Sequence, residues 1–373
     1  MKPKLCLPLA LFLISLYALG GTADAGIVQP ASLYTMPGGQ GAGLGGAYTA
    51  VADGVYGQRW NPADLALVRH LTLSSAFLYT HDANQNLNYQ IGAGPVLNRV
   101  TGTHLFGGVV LPPARRTLGT GIGLYFARYE LPGVEWRDEN GGVEVIDGQG
   151  YARRVPNGTF KFSDQTLMLS LAHRGLFYDP ILGRFSLGAS FALLRQNGAV
   201  GRQSSGFTTG FGVIHELSPH FRYGLTLRNL YSRMKGTDGV RDELERELVM
   251  GIVRWMQAGR NDSLLVSLDV MKAAGQVWSM NAGMEYRLDV GAEKWLALRG
   301  GLGHSFPVTR NDLRIPAIVK GYGRTNPVLG LGYRSRFLNR LFYTLDYSVD
   351  IDLDQAISTV GSRHNINISF EIR

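Results

Sequence analysis

The residue types that do most enzyme chemistry occur in this chain, but their spacing matches no catalytic motif. The eight histidines are scattered and there is one cysteine, so an H-E-x-x-H zinc motif and a cysteine-based metal site are both absent. No G-x-S-x-G sequence marks a nucleophilic serine. His304 and His364 fall near predicted strand ends, where we expect polar side chains of a lumen or rim. The sequence therefore predicts a protein that is not an enzyme, with no metal site and no cofactor.

A glycine-rich stretch at 38–46 is the other candidate for chemistry, because glycine-rich loops can cradle phosphates. Such a loop follows a strand and carries a lysine, and the sequence provides neither here. We expect a tight backbone turn instead.

The 373-residue chain is basic, with a net charge of +8, although only 18% of its residues are charged. The basic residues form no stripe interleaved with aromatic residues, so we expect no nucleic-acid partner. Attraction to anionic lipid head groups or lipopolysaccharide explains the charge better, with solvated loop charge as the alternative. The main carriers are spread over predicted loops, turns and strand ends: Arg115, Arg116, Arg153, Arg154, Arg334, Arg336 and Arg340.

Residues 1–25 have the pattern of a secretory signal peptide. Lys2 and Lys4 precede an apolar stretch, and small residues stand at 23 and 25 before the predicted cleavage site. The only cysteine lies inside this segment, so the predicted mature chain has no thiol, as suits an oxidising compartment. Export without a later apolar run of helical length leaves a secreted soluble protein or a transmembrane β-barrel.

From about residue 71 onward, apolar and polar residues alternate, as in strands whose two faces meet different environments. The segments 277–288, 341–351 and 366–373 show the pattern most clearly. Predicted strand lengths of about 9–13 residues suit a tilted bilayer crossing and exceed those of most soluble sandwiches. The pattern therefore favours an all-β fold, a transmembrane antiparallel β-barrel, over a secreted β-sandwich.

Fifteen segments qualify as strands, and the even number typical of bacterial barrels favours fourteen. They lie near 71–80, 86–93, 103–111, 119–130, 159–174, 183–195, 206–216, 220–230, 244–256, 262–270, 276–288, 294–303, 326–335, 340–350 and 363–372. Counted along the chain, every second connection between strands is short and the connections between them are mostly long, as expected for periplasmic turns and external loops. Residues 241–249 permit two interpretations, a short helix or a polar loop that leads into a strand.

Residues 26–70 lack alternation and are rich in glycine, alanine and proline. A compact unit of small residues ahead of a barrel is what a plug in the lumen requires. The stretch GGAYTAVADGVYGQRWNPADLAL at 45–67 resembles the N-terminal signature of the FadL-type outer-membrane transport family and its PorV/PorQ-like relatives. The matching positions are a glycine pair, an alanine-rich stretch with an acidic residue and an Asn-Pro-Ala motif: Gly45, Gly46, Ala47, Ala50, Ala52, Asp53, Asn61, Pro62 and Ala63. Asp64 stands where the family usually has glycine.

This resemblance implies a barrel of about 14 strands with a small N-terminal hatch in its bore. The expected units are a signal peptide at 1–25, a hatch segment at 26–70 and a transmembrane barrel at 71–373. The implied function is a channel or transporter for hydrophobic small molecules such as long-chain fatty acids. The alternative is a PorV-like, secretion-associated barrel that binds exported proteins at its outer face.

The resemblance also implies a location, partners and site residues. We expect the protein to lie in an outer membrane. The expected partners are lipid or lipopolysaccharide, the barrel assembly machinery, and either an apolar ligand or secreted protein cargo. Ligand binding or gating is expected of the hatch residues Gly45, Gly46, Ala47, Asp53, Asn61, Pro62 and Ala63. A polar lumen is expected to be lined by Arg222, Glu285, Arg287, Asp346 and Asp350.

Two long predicted loops, 131–158 and 304–325, carry apolar residues such as Trp136 and Phe306. Exposed apolar residues in long loops often mark binding sites. We therefore expect the apolar ligand or exported partner to bind there, and a loop that only covers the pore is the alternative.

Overall fold

A computed structural model describes most of the chain. The described residues are 32, 38–51, 54–81, 102–113, 119–136, 143–146, 152–155, 158–179, 183–198, 203–237, 239–273, 278–291, 293–305, 324–352 and 361–373. Short helices come first: α1 (Gly39–Gly43), α2 (Gly54–Trp60) and a 3₁₀ helix (Pro62–Ala66). No helix within these ranges has the length and apolar character needed to cross a membrane.

The rest of the described chain is almost entirely β-structure. The strands are β1 (Leu71–His81), β2 (Gly102–Leu111), β3 (Thr120–Trp136), β4 (Val143–Ile146), β5 (Ala152–Val155), β6 (Gly158–Asp179), β7 (Gly183–Asn197), β8 (Gln203–Ser218), β9 (Phe221–Arg228), β10 (Ser232–Gly236), β11 (Arg241–Asp242), β12 (Glu247–Gln257), β13 (Ser263–Ala273), β14 (Trp278–Gly291), β15 (Lys294–Ser305), β16 (Arg324–Leu338), β17 (Leu341–Asp352) and β18 (Gly361–Ile372).

Fourteen of these strands close into one antiparallel barrel. The sheet runs from β8 through β7, β6, β3, β2 and β1 to β18, then back through β17 to β12 and β9, and pairing of β8 with β9 closes the ring. Strands β10 and β11 extend the sheet beyond β8, and β4 and β5 form a separate two-stranded sheet. Closure pairs the backbone groups of the wall without an open edge, as hydrocarbon surroundings require. The predicted all-β barrel of fourteen strands is confirmed.

The two faces of the wall differ as the alternation predicts. In β14, Met284 on the outer face is 52% exposed and Glu285 on the inner face is 2% exposed. Large apolar side chains are exposed around the whole ring: Phe77, Leu105, Leu124, Leu169, Leu193, Ile252, Met284, Leu298, Leu329, Leu345 and Ile366. A belt of this kind is unfavourable in water and favourable in lipid.

The two ends of the barrel have connections of different length. Those at one end, which we call the turn end, span 112–119, 180–182, 219–220, 258–262, 292–293 and 339–340. Those at the other end, the loop end, span 82–101, 137–157, 198–202, 229–246, 274–277, 306–323 and 353–360. Leu71 pairs with Ile372, so the first wall strand starts and the last one finishes at the turn end.

Two open points of the strand prediction have clear outcomes. The surplus candidate 86–93 lies outside the described residues, and the ring closes without it because β1 pairs directly with β2. Residues 243–246 are irregular and β12 starts at Glu247, so the loop-into-strand interpretation of 241–249 is right and the helix is wrong. The strand is favoured because Glu247 turns into the lumen, where Arg228 donates to its carboxylate at 3.2 Å.

Candidate functional site

Residues 38–51 and 54–70, which we call the luminal segment, pack against the inner face of the wall. Leu44, Ala47, Asn61 and Leu65 have no exposed surface. The wall glycines that meet the segment lie on nine strands: Gly108, Gly121, Gly123, Gly188, Gly212, Gly224, Gly251, Gly283, Gly301 and Gly330. The absence of side chains at these positions leaves room for the segment, which accounts for part of the high glycine content.

One close approach of the two backbones joins Gly45 of the luminal segment to Gly301 of β15. A Cβ at Gly301 would overlap the backbone of Gly45. Gly45 has a φ of +64°, in the left-handed region that glycine adopts without strain, and its own Cβ would lie 2.6 Å from the Leu302 nitrogen. Gly46 follows with a φ of +89°. The predicted glycine pair therefore forms a tight turn seated on the wall.

Asp269 of β13 fixes the next part of the segment through its backbone. Its Oδ2 accepts hydrogen bonds from the Tyr48 N–H at 3.0 Å and the Thr49 N–H at 2.9 Å. Both donors are buried, so losing the acceptor would leave two amide groups unsatisfied. The sequence prediction missed Asp269, although a carboxylate within SLLVSLDVMK is a recognisable polar position on an otherwise apolar strand.

Asn61 links the segment to itself and to the wall. Its Oδ1 accepts from the Ala63 N–H at 3.0 Å, which caps the 3₁₀ helix with Pro62 in its first turn. Its Nδ2 donates to the carbonyls of Thr49 and of Val213 on β8, at 3.1 and 3.0 Å. The Asn-Pro-Ala motif is thus a buried structural joint, and Asp64, the departure from the family pattern, is buried beside Gly57.

A buried charge network lies beneath α1. The Arg299 guanidinium donates from Nε to Glu285 at 2.6 Å and from Nη1 to Asp346 at 2.7 Å. Arg287 also donates to Glu285, at 2.8 Å, and Gln40 of α1 donates to the same carboxylate at 3.1 Å. The structure therefore brings three of the predicted lumen residues together around Arg299, which the sequence prediction missed.

The other two predicted lumen residues lie apart from this network. Arg222 donates to the Val51 carbonyl of the luminal segment at 3.4 Å, and its guanidinium lies 4.5 Å from the centre of the Trp255 ring. Asp350 faces the lumen nearer the loop end, 3.8 Å from Arg363. Asp53, the remaining predicted hatch residue, lies outside the described residues. Within the described ranges, no group of three or more His, Cys, Asp or Glu side chains is placed to hold a metal ion.

A cavity of about 700 Å³ lies between the luminal segment and the turn end. Gln40, Tyr48 and Tyr56 of the segment line one side. The charged side chains that line it are mostly arginines: Arg69, Arg222, Arg287, Arg299, Arg334 and Arg373, with Asp346 and Glu371. This part of the lumen is polar.

Toward the loop end, in contrast, one side of the inner wall, on β2, β3 and β6, is aromatic. Rings contact one another in series from α2 along β2, β3 and β6, with centroids 4.0–6.4 Å apart. We call these rings the aromatic cluster: Tyr56, Tyr125, Phe106, His104, Tyr129 and Phe162. Burial raises the pKa of the Tyr56 phenol well above its usual range, which keeps the ring neutral. One side of the inner wall is therefore covered by aromatic rings, which the sequence prediction did not include.

Comparison with known proteins gives a match in structure alone. No protein-family model and no curated protein matches the sequence. A Pseudomonas aeruginosa FadL homologue matches with a TM-score of 0.53 at 13% identity, over 91% of this chain and 98% of that chain. The Pseudomonas putida toluene transporter TodX matches with a TM-score of 0.53 at 11% identity, over the same shares. The CymD monoaromatic hydrocarbon channel gives 0.52 at 12% identity, over 90% and 97%.

The chain has the fold of these channels. The match extends over nine-tenths of this chain and nearly the full length of the other proteins. The resemblance of the Asn-Pro-Ala region to FadL-type proteins predicts the same fold that these matches show.

Proposed function

We propose that this protein is an outer-membrane channel for hydrophobic small molecules, with aromatic compounds among its substrates. The observation that carries the proposal is the aromatic cluster on the inner wall, inside a barrel that shares its fold with hydrocarbon channels. Aromatic side chains bind apolar and aromatic ligands through large contact area and ring-edge contacts. The apolar outer belt supports a location in the membrane.

The loop end faces the cell exterior in this proposal, because bacterial barrels have long external loops and short periplasmic turns. Apolar ligand enters from the loop end and meets the aromatic cluster. The luminal segment lies between that cluster and the basic cavity at the turn end, since Tyr56 contacts both. Passage of the ligand then requires the luminal segment to shift. We place this movement at two joints, Gly45–Gly46 and Asn61–Ala63.

Long-chain fatty acids are the second substrate class, proposed from the resemblance to FadL-type proteins. Their chains would contact the same apolar rings, whereas their carboxylates carry a charge that the cluster does not neutralise. We therefore expect uptake of neutral aromatic compounds to exceed that of fatty acids.

The test is uptake of labelled toluene and labelled oleate in a strain that lacks the gene, with and without a plasmid copy. We expect the plasmid to restore toluene uptake, and a matched plasmid encoding Tyr125→Ala and Phe106→Ala to restore less. Equal toluene uptake in all strains would contradict the channel. Loss of surface proteins from the deletion strain with unchanged uptake would instead support the secretion-associated alternative.

A further inference from the structure

The outer face of the barrel carries a row of polar and cationic side chains near the loop end. The row crosses five neighbouring strands, β3, β6, β7, β8 and β10, through residues that pair directly with one another in the sheet: Arg128, Gln165, Arg195, Ser205 and Lys235. At about 4.8 Å between strands, the row is about 19 Å wide.

Directly below this row, toward the turn end, the same strands carry apolar side chains. Phe126, Leu167, Leu193 and Phe207 pair across the sheet, and the last of them pairs with Arg233 on β10. Leu167 and Leu193 are 44% and 52% exposed on the outer face. The cationic side chains therefore stand at the boundary of the apolar belt, where acyl chains give way to head groups.

The charges of this surface are poorly balanced by carboxylates. Arg128 and Lys161 both pair with Glu130, the latter at 2.8 Å. In the described part of the chain, no carboxylate lies within ion-pair distance of Arg195, Arg233 or Lys235, and all three are exposed. Two of the described cations on this side thus share Glu130 and the others have no carboxylate partner. We call these side chains the cationic row: Arg128, Lys161, Arg195, Arg233 and Lys235.

This surface differs from the one that the sequence suggested. Of the basic residues singled out there, Arg334 turns into the lumen and pairs with Glu371 at 2.6 Å. Arg336 and Arg340 lie at the turn end, and Arg115 and Arg116 lie outside the described residues. The cationic row is formed by other residues, which the strand pairing brings together.

We infer that the cationic row binds the phosphate groups of lipopolysaccharide in the outer leaflet. Guanidinium and ammonium groups are the side chains that bind phosphate most strongly, and arginine does so with two parallel hydrogen bonds. The exposed leucine and phenylalanine side chains beneath them fit the acyl chains of the same lipid. The inference rests on the proposed outer-membrane location with the loop end outward.

The test is binding of the detergent-solubilised full chain to lipopolysaccharide, with a variant that lacks the unpaired cations. Arg195→Gln, Arg233→Gln and Lys235→Gln together should weaken binding about tenfold, as expected for three exposed charge contacts. A matched control carries Arg254→Gln, Lys294→Gln and Arg340→Gln, which are exposed cations at the turn end. The control should bind within about twofold of the unmodified protein.

Two further probes keep the inference open to refutation even if the variant folds poorly. Dephosphorylated lipopolysaccharide should bind the unmodified protein about as weakly as intact lipopolysaccharide binds the triple variant. Inorganic phosphate at the same concentration as the lipid should not compete with lipopolysaccharide for the protein. Equal binding of phosphorylated and dephosphorylated lipid, or equal binding by variant and control, would overturn it. Toluene uptake by the triple variant should be unchanged, so a failed channel and a failed lipid site give different results.

Discussion

Single side chains connect the luminal segment to the wall at defined backbone positions. Asp269 accepts two backbone N–H groups, and Asn61 satisfies three backbone groups with one amide. Buried hydrogen bonds of this kind are modest in net energy but costly to leave unmade. The position of the segment is therefore sensitive to individual substitutions.

Gly301→Ala should displace the luminal segment, because the new Cβ would overlap the backbone of Gly45. We expect a loss of about 1–3 kcal/mol in the free energy of unfolding and faster proteolysis of residues 38–70. Gly300→Ala is the matched control, since a Cβ at Gly300 meets no atom within 4 Å. Equal proteolysis of the two variants would show that the segment does not rest on Gly301.

Asp269→Ala should loosen the segment near Tyr48, because two buried amide groups lose their acceptor. The expected cost is about 2–4 kcal/mol in the free energy of unfolding, together with faster amide hydrogen exchange at Tyr48 and Thr49. Asp350→Ala removes a lumen carboxylate that contacts the wall residue Arg363 and should leave exchange at both amides unchanged. Protected amides in the Asp269 variant would contradict this role.

The sequence allowed prediction of some of these residues and not of others. The glycine pair and the Asn-Pro-Ala motif are local signals, and both are buried where the segment meets the wall. Asp269 and Arg299 stand out as charged residues of their strands, but their partners come from other elements, so no local spacing shows what they contact. Asp346, for example, lies 47 positions from Arg299.

At the scale of elements, α1 rests on the charge network of β14, β15 and β17. Arg299→Met would leave the carboxylates of Glu285 and Asp346 buried without their shared cation. We expect urea unfolding in detergent to show a loss of about 3–5 kcal/mol. Arg336→Met, which removes a half-exposed pair with Glu293, should cost less than about 1 kcal/mol. A similar small loss for both variants would contradict a structural role of the network.

The predicted loop 304–325, of which 306–323 connect β15 to β16, is the element that we expect to bind apolar ligand first, although most of it lies outside the described residues. Its deletion should abolish toluene uptake and leave barrel assembly intact, as judged by heat-modifiable migration of the folded barrel on gels. Replacement of the same residues by a Gly/Ser linker of equal length serves as the control for loop length. Normal uptake in the deletion would argue that this loop only covers the pore.

The strands were predictable because lipid on one face and polar surroundings on the other impose alternation along each strand. The aromatic cluster was not predictable, because where the inner face is also apolar the sequence no longer alternates, and the inward-facing residues cannot be told from the outward-facing ones. In β3, Leu124 and Phe126 face outward while Tyr125 and Ala127 face inward, and all four are apolar or aromatic. The inner ring contacts become visible only when β2, β3 and β6 are paired.

At the scale of the whole molecule, the luminal segment separates two environments within one barrel. The turn end has a cavity whose charged lining side chains are mostly arginines, and toward the loop end the aromatic cluster covers one side of the inner wall. In the proposed function, this asymmetry lets the channel accept apolar compounds from the loop end and hold them until the segment moves.

The most direct measurement is anomalous diffraction from crystals of the full chain soaked in bromobenzene. We expect bromine density inside the barrel, within about 4–5 Å of the rings of Tyr125 and Phe106, on the loop-end side of the luminal segment. Substitution of both rings by alanine should remove that density. Bromine density confined to the outer lipid-facing belt, with none inside the barrel, would contradict the account.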